Sequence, residues 1–384
     1  MQFLSLYFHI PFCRERCTYC AFNIYTNLDH LKDAYVDAIQ KEIRWLTHGE
    51  KVHTIYLGGG TPNLLSAEQL KQILDAVQNS FDVIECPEIT LEANPGAVTQ
   101  RYCDELRELG INRLSLGMQS AHDSELSLFG RDHQNHETAN SIRMARQAGF
   151  DNISLDLIYG IPHQTLILWQ QTLEHALSLQ PTHFSLYALQ VESGTEIARQ
   201  IKYGALPAPD DDLTADMYDS ATEILGKAGF EQYEISSWGK PSLHNLQYWY
   251  NLPYLGIGAG AHGYAGGHRT VNVMRPEKYI ERLSRQTAVM EYPRTAANQS
   301  IVKIDRNEEI FETAMLRLRL LKEGLSRAYF EERFGESLES HYGAVIQNFK
   351  TQGLIEERDN ILTLTSRARL ISNRVFQALL PEKK

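Results

Sequence analysis

Cys13, Cys17 and Cys20 stand in a C-x3-C-x2-C spacing, and three thiols in one short loop point to a metal site. A [4Fe–4S] cubane ordinarily takes four Cys thiolates. Three leave one iron open to an exogenous ligand. The flanking run Tyr7-Phe8-His9-Ile10-Pro11-Phe12, with Tyr19 and Phe22, predicts an apolar collar that limits water access and tunes the potential. Structural zinc is the alternative; it favours paired C-x2-C units closed by a fourth Cys or His, and the sequence holds no second pair. The remaining cysteines, Cys86 and Cys103, read as buried free thiols. An oxygen-sensitive cluster and free thiols together point to a reducing cytosol.

Such a loop needs a scaffold. Short β-rich runs at residues 4–9, 54–57, 88–92, 113–118, 152–159 and 183–189 alternate with amphipathic stretches at 32–46, 67–79, 100–109, 137–148 and 167–179. That alternation predicts βαβ units and a parallel sheet, hence an α/β fold built on a partial (β/α)6 TIM-like barrel. Chemistry in such barrels collects at the C-terminal ends of the strands. The cysteine loop follows the first strand, Gly58-Gly59-Gly60-Thr61-Pro62 the second and Glu92-Ala93-Asn94-Pro95-Gly96 the third. Gln119 and Ser120 end the fourth, Asp156 lies near the end of the fifth, and Tyr187 with Gln190 ends the sixth. Consecutive glycines let a ligand approach the backbone. As a phosphate loop the run is poor, because G-x4-G-K-[ST] is absent; a plain strand-to-helix turn is the alternative.

The rest of the chain is divided from this barrel, residues 1–205, by an irregular region at 206–298, with one helix at 211–226 and then aromatic and glycine-rich loops. Residues 299–384 predict a smaller, mainly helical, winged-helix-like domain: helices at 307–321, 327–334 and 338–352, β-like pieces at 354–357 and 361–364, and a last helix at 366–380. Its Lys and Arg nearly balance its Asp and Glu, so a lid or docking role fits better than DNA binding. Over the whole chain a net charge of −11 argues against nucleic-acid partners. No signal peptide and no apolar run long enough to span a membrane is visible, which leaves a cytoplasmic protein with peripheral membrane contact open to it.

The cysteine spacing resembles the signature of the radical S-adenosylmethionine (SAM) superfamily. That resemblance implies SAM chelating the open iron, and one-electron cleavage of its sulfonium to a 5′-deoxyadenosyl radical; the protein supplies binding and orientation. It also implies that Gly59, Gly60 and Thr61 meet the methionine amino group. Leu91-Glu92-Ala93, Gly117-Met118-Gln119-Ser120, Gly130-Arg131 and Asp156-Leu157-Ile158-Tyr159-Gly160 are similar to SAM-contacting segments of the coproporphyrinogen-oxidase-like branch. By that resemblance Glu92, Gln119, Arg131 and Asp156 contact SAM, and Tyr7, Ala188 and the 256–263 stretch line the site. A guanidinium such as Arg131 suits the methionine carboxylate.

Within that branch, oxygen-independent coproporphyrinogen III oxidases carry a further Cys two places after the triplet, where this sequence has Phe22, and a longer segment before it. This sequence also has His244-Asn245-Leu246-Gln247-Tyr248-Trp249, an H-N-x-x-Y-W motif. These features resemble the HemW-type haem chaperones. The resemblance implies haem as a further ligand, haem-accepting apoproteins such as respiratory enzymes as partners, and the segment from His244 to Trp249 in haem handling. His is a usual axial ligand of haem iron and aromatics stack on a macrocycle; a packed, hydrogen-bonded loop histidine is the alternative, and His262 is a second candidate. No side chain is assigned a catalytic role. The rival function is radical decarboxylation of coproporphyrinogen III.

Overall fold

The computed structural model describes residues 3–380. Its first half alternates strand and helix: β1 (Phe3–Ile10), α1 (Lys32–Trp45), β2 (Lys51–Gly59), α2 (Ala67–Ser80), β3 (Asp82–Ala93), α3 (Gln100–Glu108) and β4 (Arg113–Gln119). Then come α4 (Asp123–Leu128), α5 (Asn135–Gln147), β5 (Asn152–Tyr159), α6 (Leu166–Ser178), β6 (His183–Ala188), α7 (Glu196–Lys202) and α8 (Asp211–Lys227). Strands β1 to β6 pair in sequence order and all in parallel, the expected partial barrel. Helix starts follow sequence chemistry: Ser66 and Gln69 close a reciprocal capping box on α2.

Side-chain alternation along these strands sorts the two faces. Leu4, Leu6, Phe8 and Ile10 of β1, Leu114 and Leu116 of β4, and Leu155 and Leu157 of β5 join one apolar core with Ile39, Ile43, Leu70 and Ile73 of the helices. Each buried aliphatic or aromatic side chain there contributes roughly 1.5–3 kcal/mol. The intervening residues are polar and bond one another inside the barrel. The Thr54 hydroxyl donates to Ser5 at 2.6 Å, Ser154 bonds His183 at 2.7 Å, and Ser115 donates to both oxygens of Asp156 at 3.2 and 3.1 Å.

The region expected to be loops is not loops. After α8 it forms β7 (Gln232–Glu234), β8 (Ser237–Gly239), α9 (Leu243–Trp249), β9 (Tyr254–Ile257), β10 (His262–Ala265), β11 (His268–Asn272), α10 (Pro276–Arg285) and β12 (Asn298–Lys303). These strands widen the sheet at both edges, in the order β12-β11-β10-β9-β1-β2-β3-β4-β5-β6-β8-β7. β9 pairs in parallel with β1, although the two lie some 250 residues apart in sequence. Strands of three to six residues carry little local signal, and only long-range pairing reveals them.

The C-terminal part holds α11 (Arg306–Arg317), β13 (Leu325–Ser326), α12 (Arg327–Phe334), α13 (Leu338–Thr351), β14 (Ile355–Arg358), β15 (Ile361–Leu364), α14 (Ser366–Arg369) and α15 (Ser372–Ala378). A small antiparallel sheet, β13-β15-β14, backs the helices in winged-helix fashion. This part has its own core around Phe330, Phe334, Ile346, Phe349 and Leu362, to which Ile235 of the preceding region contributes. The helix expected at 366–380 is broken at Leu370 and Ile371, both about 40% exposed and so without packing to carry the helix across. No helix among the described residues is long and apolar enough to cross a membrane.

Candidate cofactor site

The cysteine loop leaves the C-terminal end of β1 and is tied down on three sides. Cys13 N–H donates to Tyr25 O at 3.0 Å and Tyr25 N–H to Pro11 O at 2.7 Å, pinning the loop's ends together. Thr18 donates through its backbone to Phe129 O and through its hydroxyl to Leu128 O, both at 2.9 Å. On the far side, Asn23 Nδ2 donates to Ala259 O and Met274 O at 3.0 Å each, while Asn23 O bonds His9 Nε2 at 2.8 Å. The loop therefore spans from the fourth βα connection to the glycine-rich turn after β9.

All three thiols are half-buried. Burial, with the neighbouring thiols and against a hydrogen bond from Thr61, pushes the Cys13 thiol up to about 11. Burial likewise raises Cys20. The three do not converge on one point: among the described residues no group of His, Cys, Asp or Glu is disposed to hold a single metal ion. A cubane offers each thiolate its own iron. The expected aromatic collar is only partly present. Strand alternation sends Phe8 into the core beneath the helices, Phe12 packs edge-on against Tyr35 at 5.2 Å, and Phe22 is 70% exposed. Tyr19 remains by the loop, 4.5 Å from Phe129. Cys103 is buried as expected, but Cys86 is exposed, because the first half of β3 runs past the covering layer.

The glycine run is shaped by close approach. A Cβ on Gly60 would lie 2.7 Å from Phe12 O, 2.9 Å from Ile10 O and 3.1 Å from Cys13 Sγ. Gly59, at φ +113°, would drive a Cβ within 2.6 Å of the His9 ring. Gly60 and Thr61 N–H groups donate to Ile10 O and Phe12 O at 2.9 and 2.8 Å, and the Thr61 hydroxyl bonds Cys13 Sγ at 3.3 Å. The second βα loop is thus stitched to the cysteine loop.

The other site residues of the sequence analysis fall on the same rim. Glu92 accepts from Gly59 N–H at 2.9 Å and from the Tyr56 hydroxyl at 2.8 Å. Burial, opposed by the Tyr56 bond and reinforced by Asp156, raises its carboxyl to about 7. Burial also raises Asp156, against hydrogen bonds from Ser185 and Ser115. Arg131 donates through Nη2 to Asn94 Oδ1 at 2.7 Å and Gly117 O at 2.9 Å, and points Nη1 at Cys17 Sγ, 3.7 Å away; its Nε is buried without a partner. Gln119 is buried at φ +63°, in the left-handed region, at an irregularity in the β4–β5 pairing. The Tyr7 hydroxyl bonds His9 Nδ1 at 3.0 Å, and Ala188 ends β6 opposite Tyr159. Half-buried thiols, glycines that leave room beside Cys13, and a buried guanidinium with an unpaired N–H form a donor set that fits a [4Fe–4S] cluster and SAM.

Several participants were not singled out by sequence. Asn94 orients Arg131, and Arg113 lies fully buried inside the barrel with Nε and Nη1 unpaired. Glu42 of α1 accepts from Gly258 N–H, the Tyr279 hydroxyl, Asn272 Nδ2 and Thr295, fixing the glycine-rich turn from below. For Arg113 the polar half of its strand's alternation was the available signal; Asn94 and Glu42 lie outside the strands.

The H-N-x-x-Y-W segment lies elsewhere. It forms α9 rather than a loop, capped by Ser242, whose side chain accepts from Asn245 N–H. His244 is buried, with Nδ1 bonded to Thr54 Oγ1 and Nε2 to the Tyr248 hydroxyl, both at 2.8 Å. Burial drives it down to about 3, helped by the charges of His53 and Arg113. Trp249 faces the C-terminal part, under the Arg319 guanidinium at 4.3 Å. His262 is exposed at the start of β10, near His9, which burial and then the His262 charge hold below the usual imidazole range.

Comparison with known proteins agrees with this geometry. Residues 7–176 match the Radical SAM superfamily, and 304–371 match the HemN C-terminal domain. The fold superposes on coproporphyrinogen III oxidase (HemN) from Escherichia coli with a TM-score of 0.84, over 98% of this chain and 90% of that one, at 23% identity. Heme chaperone HemW of Lactococcus lactis is 35% identical, covering 98% of this chain and 97% of that protein. Heme chaperone HemW of Bacillus subtilis is 37% identical, covering 98% of this chain and 99% of that protein. On that end-to-end similarity, and with the cysteine loop and rim in place, the chain belongs to the HemW family of radical SAM proteins.

Proposed function

We propose that this protein binds haem and passes it to acceptor apoproteins, and that it carries a [4Fe–4S] cluster with exchangeable SAM. The observation that carries this is the end-to-end similarity to proteins named as haem chaperones. Cys13, Cys17 and Cys20 would each hold one iron, and the fourth would take the SAM amino and carboxylate groups. When bound, the cluster supplies a single electron and SAM the sulfonium that accepts it.

The chain's own residues bind and orient. Gly59, Gly60 and Thr61 present backbone to the methionine amino group. Arg131, aimed by Asn94, grips a carboxylate. Glu92 and Asp156 accept from ammonium or ribose, Gln119 adds an amide, and Tyr7 and Ala188 close the walls. The α9 segment from His244 to Trp249 serves the haem. On this reading residues 1–205 hold the cofactor, 206–298 the haem side, and 299–384 the docking unit. The protein would work in the cytoplasm, meeting membrane-bound respiratory acceptors peripherally and no nucleic acid.

The test is anaerobic: reconstitute the cluster, then offer haem and coproporphyrinogen III separately with SAM and a reductant. Tight stoichiometric haem binding without protoporphyrinogen formation is expected. SAM-dependent decarboxylation would replace this reading with the oxidase.

A further inference from the structure

Gln247, inside the H-N-x-x-Y-W motif, is held in one orientation. Its amide nitrogen donates to two backbone carbonyls, Phe3 O at 2.9 Å and Pro253 O at 2.7 Å. Carbonyls only accept, so Oε1 must face the other way, where it meets His53 Nε2 at 3.0 Å. Oε1 also only accepts, so the ring proton of neutral His53 sits on Nε2. Ser5 Oγ, 3.1 Å from that nitrogen, already receives the Thr54 hydroxyl proton and shares the same N–H. Nδ1 is left with a lone pair, and among the described residues it has no hydrogen-bond partner. An imidazole whose N–H is anchored to an acceptor and whose other nitrogen is free is the state in which histidine binds a metal.

His53 lines a groove of about 600 Å³ between α9 and α12, on the side of α9 away from His244's partners. That volume lies in the range of cofactor sites. The walls are mainly apolar: Phe3 stacks on His53 at 5.2 Å beside Leu243, Leu246, Tyr250, Leu252 and Tyr329, with Glu332 as the one charged lining residue among the described residues. Phe3 and Leu243 are 40% and 49% exposed, so no described residue covers them fully. Behind the two tyrosines, Arg317 lies over both rings, at 4.4 and 4.0 Å, and Arg333, paired with Glu309 at 2.8 Å, donates to the Tyr329 hydroxyl at 2.8 Å; both fix the rings that wall the groove. Flat apolar walls and one free imidazole nitrogen match two needs of an iron porphyrin, a covered macrocycle and an axial ligand, and the open mouth leaves its carboxylates to solvent.

His244 has no such freedom. Thr54 gives its hydroxyl proton to Ser5, so Thr54 Oγ1 accepts from His244 Nδ1, and His244 Nε2 accepts from Tyr248.

We infer that the groove between α9 and α12 is the haem site, with His53 Nδ1 as axial ligand, and that Gln247 and His244 are positioning residues, Gln247 directly and His244 through Thr54 and Ser5. This rests on the haem-binding reading given above.

The experiment titrates ferric haem into the full-length protein under anaerobic conditions and follows the Soret band and affinity. His53→Ala is expected to lose the histidine-ligated spectrum and weaken binding at least tenfold, while His244→Phe weakens binding but keeps the histidine-ligated spectrum. His53→Cys is expected to convert the spectrum to that of a thiolate-ligated haem, which decides the matter even if the alanine variant folds poorly. An unchanged Soret band and affinity in both His53 variants would overturn the assignment. So would loss of ligation in His244→Phe with His53→Ala intact. Wild-type protein that binds no haem would instead overturn the function proposed above.

Discussion

The Tyr56 hydroxyl donates to Glu92 Oε1 at 2.8 Å while the Tyr56 ring lies 5.0 Å from the ring of His244. One side chain therefore touches both the carboxylate of the cofactor rim and the buried histidine of α9. Glu92 on the rim and His244 of α9 share Tyr56 as a common neighbour.

Glu92 gives that contact a pH signature. Its folded carboxyl titrates near 7 against an ordinary value of 4.5, chiefly from burial. Between those two values the folded chain keeps a proton that the unfolded chain has lost, so stability falls as pH rises. Chemical denaturation of wild type and Glu92→Gln at pH 5 and pH 8 should show the wild type losing ~2 kcal/mol relative to the variant. A pH-independent difference between them would sink the assignment.

Gly60→Ala should damage the cysteine loop without touching a thiol. Its Cβ would collide with two backbone carbonyls, which cannot swing aside as a flexible side chain does. Overpacking of this kind costs about 1–3 kcal/mol. Iron content after anaerobic reconstitution should fall below that of wild type at the same protein concentration; full loading would show that the loop tolerates displacement.

Cys17→Ala should abolish the cluster, since two thiolates do not retain a cubane against chelation. Iron analysis and the visible absorbance of the reconstituted protein report it. Arg131 should then lose its sulfur neighbour while keeping Asn94 and Gly117, so the fold measured by circular dichroism should be unchanged.

Arg319→Ala should loosen the C-terminal part. Arg319 stacks over Trp249 at 4.3 Å and pairs with Glu234 at 3.2 Å, whose side chain is 3% exposed. Leaving that carboxylate buried and unpaired should cost roughly 2–3 kcal/mol, less than for a fully buried pair because Arg319 is partly exposed. Hydrogen exchange should quicken in α9 and α11 before it quickens in β1 to β6. Uniform protection would assign the ion pair no role in joining the two parts.

Much of the barrel and rim was legible because strand alternation and loop position are local. Leu4, Leu6 and Phe8 announce a buried face, and polar residues at six successive strand ends announce a common rim. What escaped was non-local or dual in signal. β9 joins β1 only through pairing across the length of the barrel. The α9 sequence, with its aromatics, has weak helix propensity and relies on its Ser242 cap and on burial of His244 and Gln247. Phe12 and Phe22 looked alike in sequence, yet one is core and the other is 70% exposed, because only the loop's path decides.

The division of labour along each barrel strand has an evolutionary consequence. Odd and even positions answer to different demands: one set packs under the helices and keeps the chain folded, the other lines the interior and meets ligands. Because lining residues bond chiefly to one another, as Thr54 does to Ser5 and Ser115 to Asp156, exchanging such a pair together can leave the packed layer intact. A lineage could therefore re-equip the interior for a new cargo, or retire a reaction while keeping its cofactor, and still inherit an intact scaffold.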